Sequence, residues 1–156
     1  MKGNPSVIAL LNDVLTGELT AINQYFLHGK MCLNWGYQHL GKKIYEESLD
    51  EMKHASKLVE RVLFLDGLPN LQKLGTLNIG QTAVEILRND LALELGIVPR
   101  LNSGIEACRT AGDNGSEDLL THILVESESH VDWLESQLEL VKQVGEAHYL
   151  AQQIRS

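Results

Sequence analysis

The chain contains 156 residues and carries a formal net charge of −8, which is enough sequence for one domain with its own hydrophobic core. The acidic balance argues against nucleic acid as a partner, and no apolar run is long enough to span a membrane. The only two cysteines, Cys32 and Cys108, exclude a disulfide framework, and the N-terminus lacks a signal-peptide pattern. We therefore expect the protein in the reducing cytoplasm. From its length, we expect a single domain over residues 1–156.

Two long helices are predicted in the first half of the chain. Asn4 and Pro5 predict the start of the first, because Asn is a good N-cap and Pro fits the first helical position, and Gly36 can end it. The second should run from about His39 to Leu65. Steps of three and four residues predict one buried face on each helix. The first face contains Val7, Leu11, Val14, Glu18, Ala21 and Tyr25, and the second contains Ile44, Glu47, Glu51, His54, Leu58, Val62 and Leu65.

A long connection should follow, from Asp66 to about Gln81. Glycines at 75 and 80 argue against a continuous helix there. We expect this segment to cross the bundle and to pack its leucines on it. These leucines are Leu68, Leu71, Leu74 and Leu77.

Two more long helices and a short one are predicted after the crossover. Thr82 and Glu85 form a capping box for the third helix, and the turn 112–115 places Ser116 as the N-cap of the fourth. Residues 146–154 can form a short fifth helix after Gly145. The third buried face contains Val84, Leu87, Leu91, Glu94, Val98, Leu101, Ile105 and Cys108, and the fourth contains Leu120, Ile123, Ser127, His130, Leu134 and Val141.

The predicted fold is therefore all-α. Four long helices with one long crossover between the second and third match a ferritin-like antiparallel four-helix bundle, here with a short fifth C-terminal helix. Pro99 conflicts with the third helix because proline removes a backbone hydrogen bond, and we expect a kink just after Glu94.

Five of the ionisable residues on the buried faces occupy positions where the pattern favours Leu or Val: Glu18, Glu51, His54, Glu94 and His130. A lone buried carboxylate is unfavourable or takes up a proton, and several on converging faces would repel one another. A cation between them removes the conflict. The alternative is a structural network of paired charges, and for Glu51 and His54 alone it is a solvated helix face.

The spacing of these residues relates the two halves of the chain. The pairs separated by 76 residues are Glu18 with Glu94 and His54 with His130. Glu51 follows Glu18 by 33 residues, and the equivalent position after Glu94 is Ser127. In di-iron bundles, two helices each supply a Glu and the other two each supply a Glu-x-x-His motif. Because carboxylate and imidazole ligands suit iron, the pattern predicts a di-iron site that lacks one ligand.

Several stretches resemble bacterioferritin, and together they extend over essentially the whole chain. They are AINQYFLH at 21–28, DEMKHA at 50–55, RVLFLDGLPNL at 61–71, NIG at 78–80, DLALE at 90–94 and HVDWLE at 130–135.

The resemblance implies a hollow cage of 24 subunits that oxidises Fe(II) at an intrasubunit centre and stores a ferric mineral. It also implies haem b on the two-fold axis between paired subunits, and a ferredoxin-like reductant. By position, Met52 would be an axial haem ligand and Tyr25 would lie beside the iron as a catalytic residue. The implied iron ligands are Glu18, Glu51, His54, Glu94 and His130.

The assignment of Met52 depends on its context. It follows Glu51 directly and so points about 100° away from the iron, toward an outer face. Two thioethers can hold a haem iron. From its position on the helix alone, Met52 could instead be a methionine packed in a dimer interface. The DEMKHA context favours haem.

The chain departs from the family at Ser127, where the resemblance implies a bridging glutamate. A serine hydroxyl is a poor ligand, so we expect a weakened second iron position and an impaired ferroxidase. Glu126, four residues before His130, can approach that face if the helix rotates, and the alternative for Glu126 and Glu128 is a solvated surface.

Glu46 replaces an inner-surface histidine of some relatives. We expect surface or interface positions for His28, His39, His122 and His148, and a pore role is the alternative for His148 on the fifth helix.

Three functions remain open at this stage. The first is a catalytic iron-storage subunit. The second is a haem-bearing, ferroxidase-poor subunit of a mixed cage that serves electron transfer for iron release. The third is a dimeric haem protein without a storage role, against which the crossover and the fifth helix argue.

Overall fold

The local capping signals define where the helices begin and end. The computed structural model describes residues 1–155, and within them it contains five helices and no strand. The helices are α1 (Pro5–Asn34), α2 (Gln38–Phe64), α3 (Ala83–Thr110), α4 (Asn114–Val144) and α5 (Glu146–Gln153). None of these helices is both long enough and apolar enough to cross a membrane.

Three of the long helices start with a side-chain cap. The Asn4 side chain accepts from the Ser6 amide, and Thr82 Oγ1 accepts from the Glu85 amide, as the sequence predicts. The predicted cap of α4 is wrong. Asp113 caps it by accepting from the Ser116 amide, because the helix begins two residues earlier than Ser116.

The helices pack as two antiparallel pairs, α1 with α2 and α3 with α4, which then face each other through α1–α3 and α2–α4 contacts. The first pair lies very close together. At Gly29 a Cβ atom would lie 2.9 Å from the Tyr45 backbone nitrogen, so only glycine allows this approach. The predicted faces of α1 and α2 are buried throughout, whereas Leu91, Val98 and Val141 are only partly buried. The all-α bundle with a short fifth helix is confirmed.

Pro99 does not interrupt α3, which is assigned as one helix from Ala83 to Thr110. The pyrrolidine ring lies on the exposed side of the helix, as does Leu95, whose carbonyl loses its normal donor. The kink that we expect after Glu94 stays a prediction.

The crossover does not bury its leucines as the sequence suggested. Leu68, Leu71, Leu74 and Leu77 are all exposed, from 84% to 37%. Polar side chains of α1 instead hold the backbone of the segment. The amides of Gly75, Asn78 and Gly80 donate to Thr20, Gln24 and His28, respectively.

His28 belongs to the interior, so its predicted surface or interface position is wrong. Its Nε2 accepts from the Gly80 amide at 3.0 Å, which leaves Nδ1–H to donate to Asp90 Oδ1 at 2.7 Å. The amide of Gln24 donates to the same Asp90 oxygen. These bonds connect α1, α3 and the end of the crossover, and they satisfy polar groups that would otherwise be buried without partners. His39, His122 and His148 are exposed, as expected.

Candidate metal centre

All four long helices contribute an ionisable side chain to the middle of the bundle. Each is less than a tenth exposed, although charged residues are rarely buried without a partner. The five residues are the ones that the buried-face pattern predicts: Glu18, Glu51, His54, Glu94 and His130, with exposed fractions of 0, 2, 6, 0 and 4%.

The structure brings these five residues together as two overlapping groups. One ligand atom from each of Glu18, Glu51 and His54 lies within 4.8 Å of the others, and the same holds for Glu51, Glu94 and His130. Glu51 belongs to both groups. This geometry can hold two cations on either side of one shared carboxylate.

The first group is built around His54. Its Nδ1 faces inward, 3.2 Å from Glu51 Oε2 and 3.5 Å from Glu18 Oε1. Its Nε2 faces outward and contacts the carboxylate of Glu126. A carboxylate behind a histidine fixes the orientation of the ring, and this arrangement is common behind metal-binding imidazoles.

The second group is built around Glu94. Glu94 Oε1 accepts from the Tyr25 hydroxyl at 2.6 Å and lies 3.0 Å from His130 Nδ1. The rings of Tyr25 and His130 meet edge to face, with centroids 5.2 Å apart. Burial, and then the charge of Glu94, raise the pKa of Tyr25 well above its usual value, so its hydroxyl remains a donor.

The pKa shifts in the cluster reflect burial, repulsion between its carboxylates and attraction between carboxylate and histidine. Burial, reinforced by Glu18, raises the pKa of Glu51 well above its usual value, and burial also raises the pKa of Glu94. Burial alone would lower the pKa of His54, but hydrogen bonding and attraction from Glu18 and Glu51 raise it to about 11. Protons thus balance the excess negative charge wherever no other cation does so.

Four buried oxygen atoms among the described residues have no hydrogen-bond partner: Oε1 and Oε2 of Glu18, Oε2 of Glu94 and Oγ of Ser127. Buried polar groups are nearly always satisfied, so such a cluster needs an explanation. The three carboxylate oxygens all belong to the two groups described above. A bound cation would satisfy them, and the donor set suits a divalent metal of the iron type.

Ser127 occupies the position that the sequence repeat gives it. It is 1% exposed and lies on the same buried face of α4 as His130, and its hydroxyl has no hydrogen-bond partner. The alternative that Glu126 replaces the missing ligand near His130 requires a rotated or relaxed helix. α4 is continuous, so Glu126 remains on the more exposed side of the helix and contacts His54 instead.

A cavity of about 280 Å³ lies over the centre, and its lining includes Glu47 and Lys43, which are not among the five predicted residues. Glu47 lies on the buried face of α2, with Oε2 3.7 Å from His130 Nδ1. Lys43 Nζ lies 2.9 Å from the other Glu47 oxygen and 5.3 Å from the centroid of the Trp133 ring. The buried-face pattern that predicted Glu51 also contained Glu47, so the sequence did offer a signal for Glu47. Lys43 gave no such signal.

Comparison with known proteins supports the same interpretation. A model of the ferritin-like domain family matches residues 8–144. The bacterioferritin of Mycobacterium bovis is 51% identical over 152 residues, which covers 97% of this chain and 96% of the relative. The bacterioferritins of Streptomyces coelicolor and Brucella melitensis are 46% and 45% identical, covering 97% and 96% of this chain and 90% and 92% of the relatives. The four-helix bundle, the buried acid–histidine centre and the sequence identity over nearly the whole length agree with one another. The chain therefore belongs to the bacterioferritins within the ferritin-like family.

Proposed function

We propose that this protein is an iron-storage subunit that binds Fe(II) at the buried centre, oxidises it and releases Fe(III) to a mineral store. The observation that carries the proposal is the pair of buried groups sharing Glu51, with three carboxylate oxygens that lack partners. Iron is here both substrate and cargo. Oxygen or peroxide would accept its electrons.

The residues of the centre have distinct proposed roles. Glu18 and His54 would bind the first iron, Glu94 and His130 the second, and Glu51 would bridge them. Tyr25 would hold Glu94 through the hydrogen bond from its hydroxyl. The contact from Glu126 to His54 Nε2 would keep Nδ1 directed at the first iron.

The absence of a carboxylate at Ser127 makes the two positions unequal. The second position retains Glu51, Glu94 and His130 but lacks a bridging partner opposite Glu51. We therefore expect weaker binding of the second iron and slow oxidation.

The test compares oxidation of Fe(II) by the wild type with that by Ser127→Glu, followed by the rise of ferric absorbance after mixing with oxygenated buffer. The variant should oxidise Fe(II) faster, because it restores the carboxylate. Ser103→Glu, an exposed position on α3, adds the same charge elsewhere and should behave like the wild type. Rapid oxidation of two irons per subunit by the wild type, with no gain in the variant, would show that the centre is intact without the carboxylate.

We also propose that Met52 binds haem b between two subunits, within a cytoplasmic cage of 24 subunits. Met52 is 56% exposed on α2, and Leu49, one turn earlier, is 46% exposed. The paired helix α1 exposes Phe26 and Leu27 as well. An exposed thioether beside apolar side chains fits a haem face covered by a second subunit.

The haem proposal has a spectroscopic test. Haem added to the purified protein should give a low-spin spectrum with two thioether ligands, and Met52→Leu should abolish it. Met31→Leu changes a partly buried methionine on α1 and should leave the spectrum unchanged. A low-spin spectrum that persists in Met52→Leu would rule out the axial assignment.

The second candidate is a haem-bearing subunit of a mixed cage that contributes little oxidation and receives electrons from a ferredoxin-like reductant. The combination of Ser127 with an exposed Met52 favours it. Mass measurement of cages from the native source distinguishes the two candidates. One subunit type in the cage supports the first, whereas a second type alongside this chain supports the mixed cage.

A further inference from the structure

The second half of the metal centre contains a positive charge of its own. Lys43 Nζ lies 2.9 Å from Glu47 Oε1, and Glu47 Oε2 lies 3.7 Å from His130 Nδ1. Lys43 is thus connected to a predicted iron ligand through one carboxylate. Among the described residues, no lysine or arginine lies within ion-pair distance of the first group, formed by Glu18, Glu51 and His54.

Glu47 resembles a ligand more than a surface acid. It is 9% exposed, and it lies one helical turn before Glu51 on the same buried face of α2. Its carboxylate reaches the side of His130 that also faces Glu94. This carboxylate therefore lies beside His130, which is one helical turn after Ser127 on the same buried face of α4.

Lys43 competes with any metal for the Glu47 carboxylate. The ammonium forms an ion pair with Glu47 and lies over the Trp133 ring, so two neighbours hold it in the cavity. A cation at the second position would have to compete with the ammonium for Glu47 and would also be repelled by it. Ser127 removes one negative charge from this half, and Lys43 neutralises another.

We propose that Lys43 sets the metal affinity of the second position by competing for Glu47, which is the carboxylate able to replace the one missing at residue 127. This inference rests on the proposed function, because it presupposes metal binding at the centre. It adds a residue outside the predicted ligand set that determines how many metals bind. Lys43 is 38% exposed at its side chain, so it can move into solvent when a metal displaces it.

The test uses binding of Co(II), which needs no oxygen and gives visible absorption bands when bound. The wild type should bind one Co(II) per subunit tightly and a second one weakly. Lys43→Gln should strengthen the second binding step by about 10- to 100-fold, the range found when outer residues of metal sites are altered. The first step should change little.

Three further variants separate this mechanism from a general charge effect. Lys42→Gln removes the same charge from the exposed neighbour on α2 and should bind Co(II) like the wild type. Lys43→Arg keeps the charge and should keep the second step weak. Adding Glu47→Gln to Lys43→Gln should abolish the gain, because the carboxylate that was freed is then absent.

The outcomes distinguish this inference from the proposal beneath it. If the wild type binds no Co(II) at all, the proposed metal function fails and this inference with it. If the wild type binds one Co(II) tightly and Lys43→Gln leaves the second step unchanged, the metal centre stands and the role of Lys43 is refuted. Equal gains from Lys42→Gln and Lys43→Gln would also refute it.

Discussion

Glu18→Gln should stabilise the metal-free protein and remove most of the stabilisation that metal binding gives. Both Glu18 oxygens are buried without a hydrogen-bond partner, and the charge of Glu18 helps to raise the pKa of Glu51. Glutamine has almost the same shape but carries no charge. Its amide can donate to the Glu51 carboxylate, which a carboxylate at residue 18 cannot do.

The size of the effect follows from these contacts. Each unsatisfied buried oxygen costs about 1–3 kcal/mol, and the substitution relieves one of the two. Loss of the attraction to His54 Nδ1, 3.5 Å from Glu18 Oε1, offsets part of this gain. We expect a net gain of about 1–2 kcal/mol in the free energy of unfolding, which for this chain length raises Tm by about 2–8 °C.

The assay is thermal unfolding at one scan rate, first in chelator and then with saturating Co(II). Metal at about 100 times its Kd stabilises the wild type by about 2.7 kcal/mol, and Glu18→Gln should lose most of this because a ligand is missing. The variant should therefore melt above the wild type without metal and below it with metal. Glu135→Gln, at an exposed position on α4, should match the wild type in both conditions.

A lower Tm for Glu18→Gln in chelator would refute the reasoning. It would mean that the Glu18 carboxylate is favourable where it lies, and that the cluster is a structural network of paired charges. An unchanged Co(II) shift in the variant would refute the assignment of Glu18 as a ligand.

Three other predictions concern packing and hydrogen bonding in the bundle. Burial alone would raise the pKa of Asp113, but hydrogen bonds from Ser116 and the ion pair with Arg61 outweigh it and lower the pKa from 3.8. The stabilisation by the Asp113 carboxylate is therefore present above pH 3.8 and is lost as the pH falls through the folded-state pKa. Asp113→Asn should lower the free energy of unfolding by about 1–2 kcal/mol at pH 7, measured by urea unfolding. The same substitution should have no effect at the acid end of a pH series. Leu11→Ala, at a fully buried position, should cost about 2–5 kcal/mol in the same assay. Tyr25→Phe should cost about 1–3 kcal/mol in chelator, because Glu94 Oε1 loses its 2.6 Å donor.

Exposed positions provide the controls. Asp13→Asn on α1 and Leu140→Ala on α4 should each change stability by less than about 0.5 kcal/mol. A pH-independent loss in Asp113→Asn would show that its charge does not matter. Unfolding of Tyr25→Phe at the wild-type urea concentration would show that the Glu94 bond contributes nothing net.

The features that the sequence predicted are those set by neighbours along the chain. Caps such as Asn4 and Thr82 act within three residues, and the positions of Glu51 and His54 on one face follow from the helical repeat. For this reason the helices and all five clustered residues agree with the structure. Ser127 was located by the internal repeat and by the buried face of the fourth helix.

The features that the sequence missed depend on how one helix is rotated against another. His28 looked like a surface residue because Asp90 and Gly80, its partners, lie far along the chain. The spacing of Glu126 allowed it either to approach His130 or to lie on a solvated surface. It says nothing about α2, which brings His54 within reach of Glu126. Long, flexible side chains such as Lys43 are the hardest to place, since their contacts depend on reach as well as on register.

The unequal halves of the centre bear directly on what the subunit can do. Reducing oxygen by two electrons requires two Fe(II) ions, because each gives up one electron. The first position has three clustered donors, and Glu126 holds one of them, His54, from behind. The second position lacks a carboxylate at Ser127 and lies beside the Lys43 ammonium. A subunit that fills one position tightly and the other weakly would hold iron well but turn it over slowly. On the proposed function, occupancy of the second position limits oxidation, and that occupancy is controlled by residues 127, 47 and 43 together.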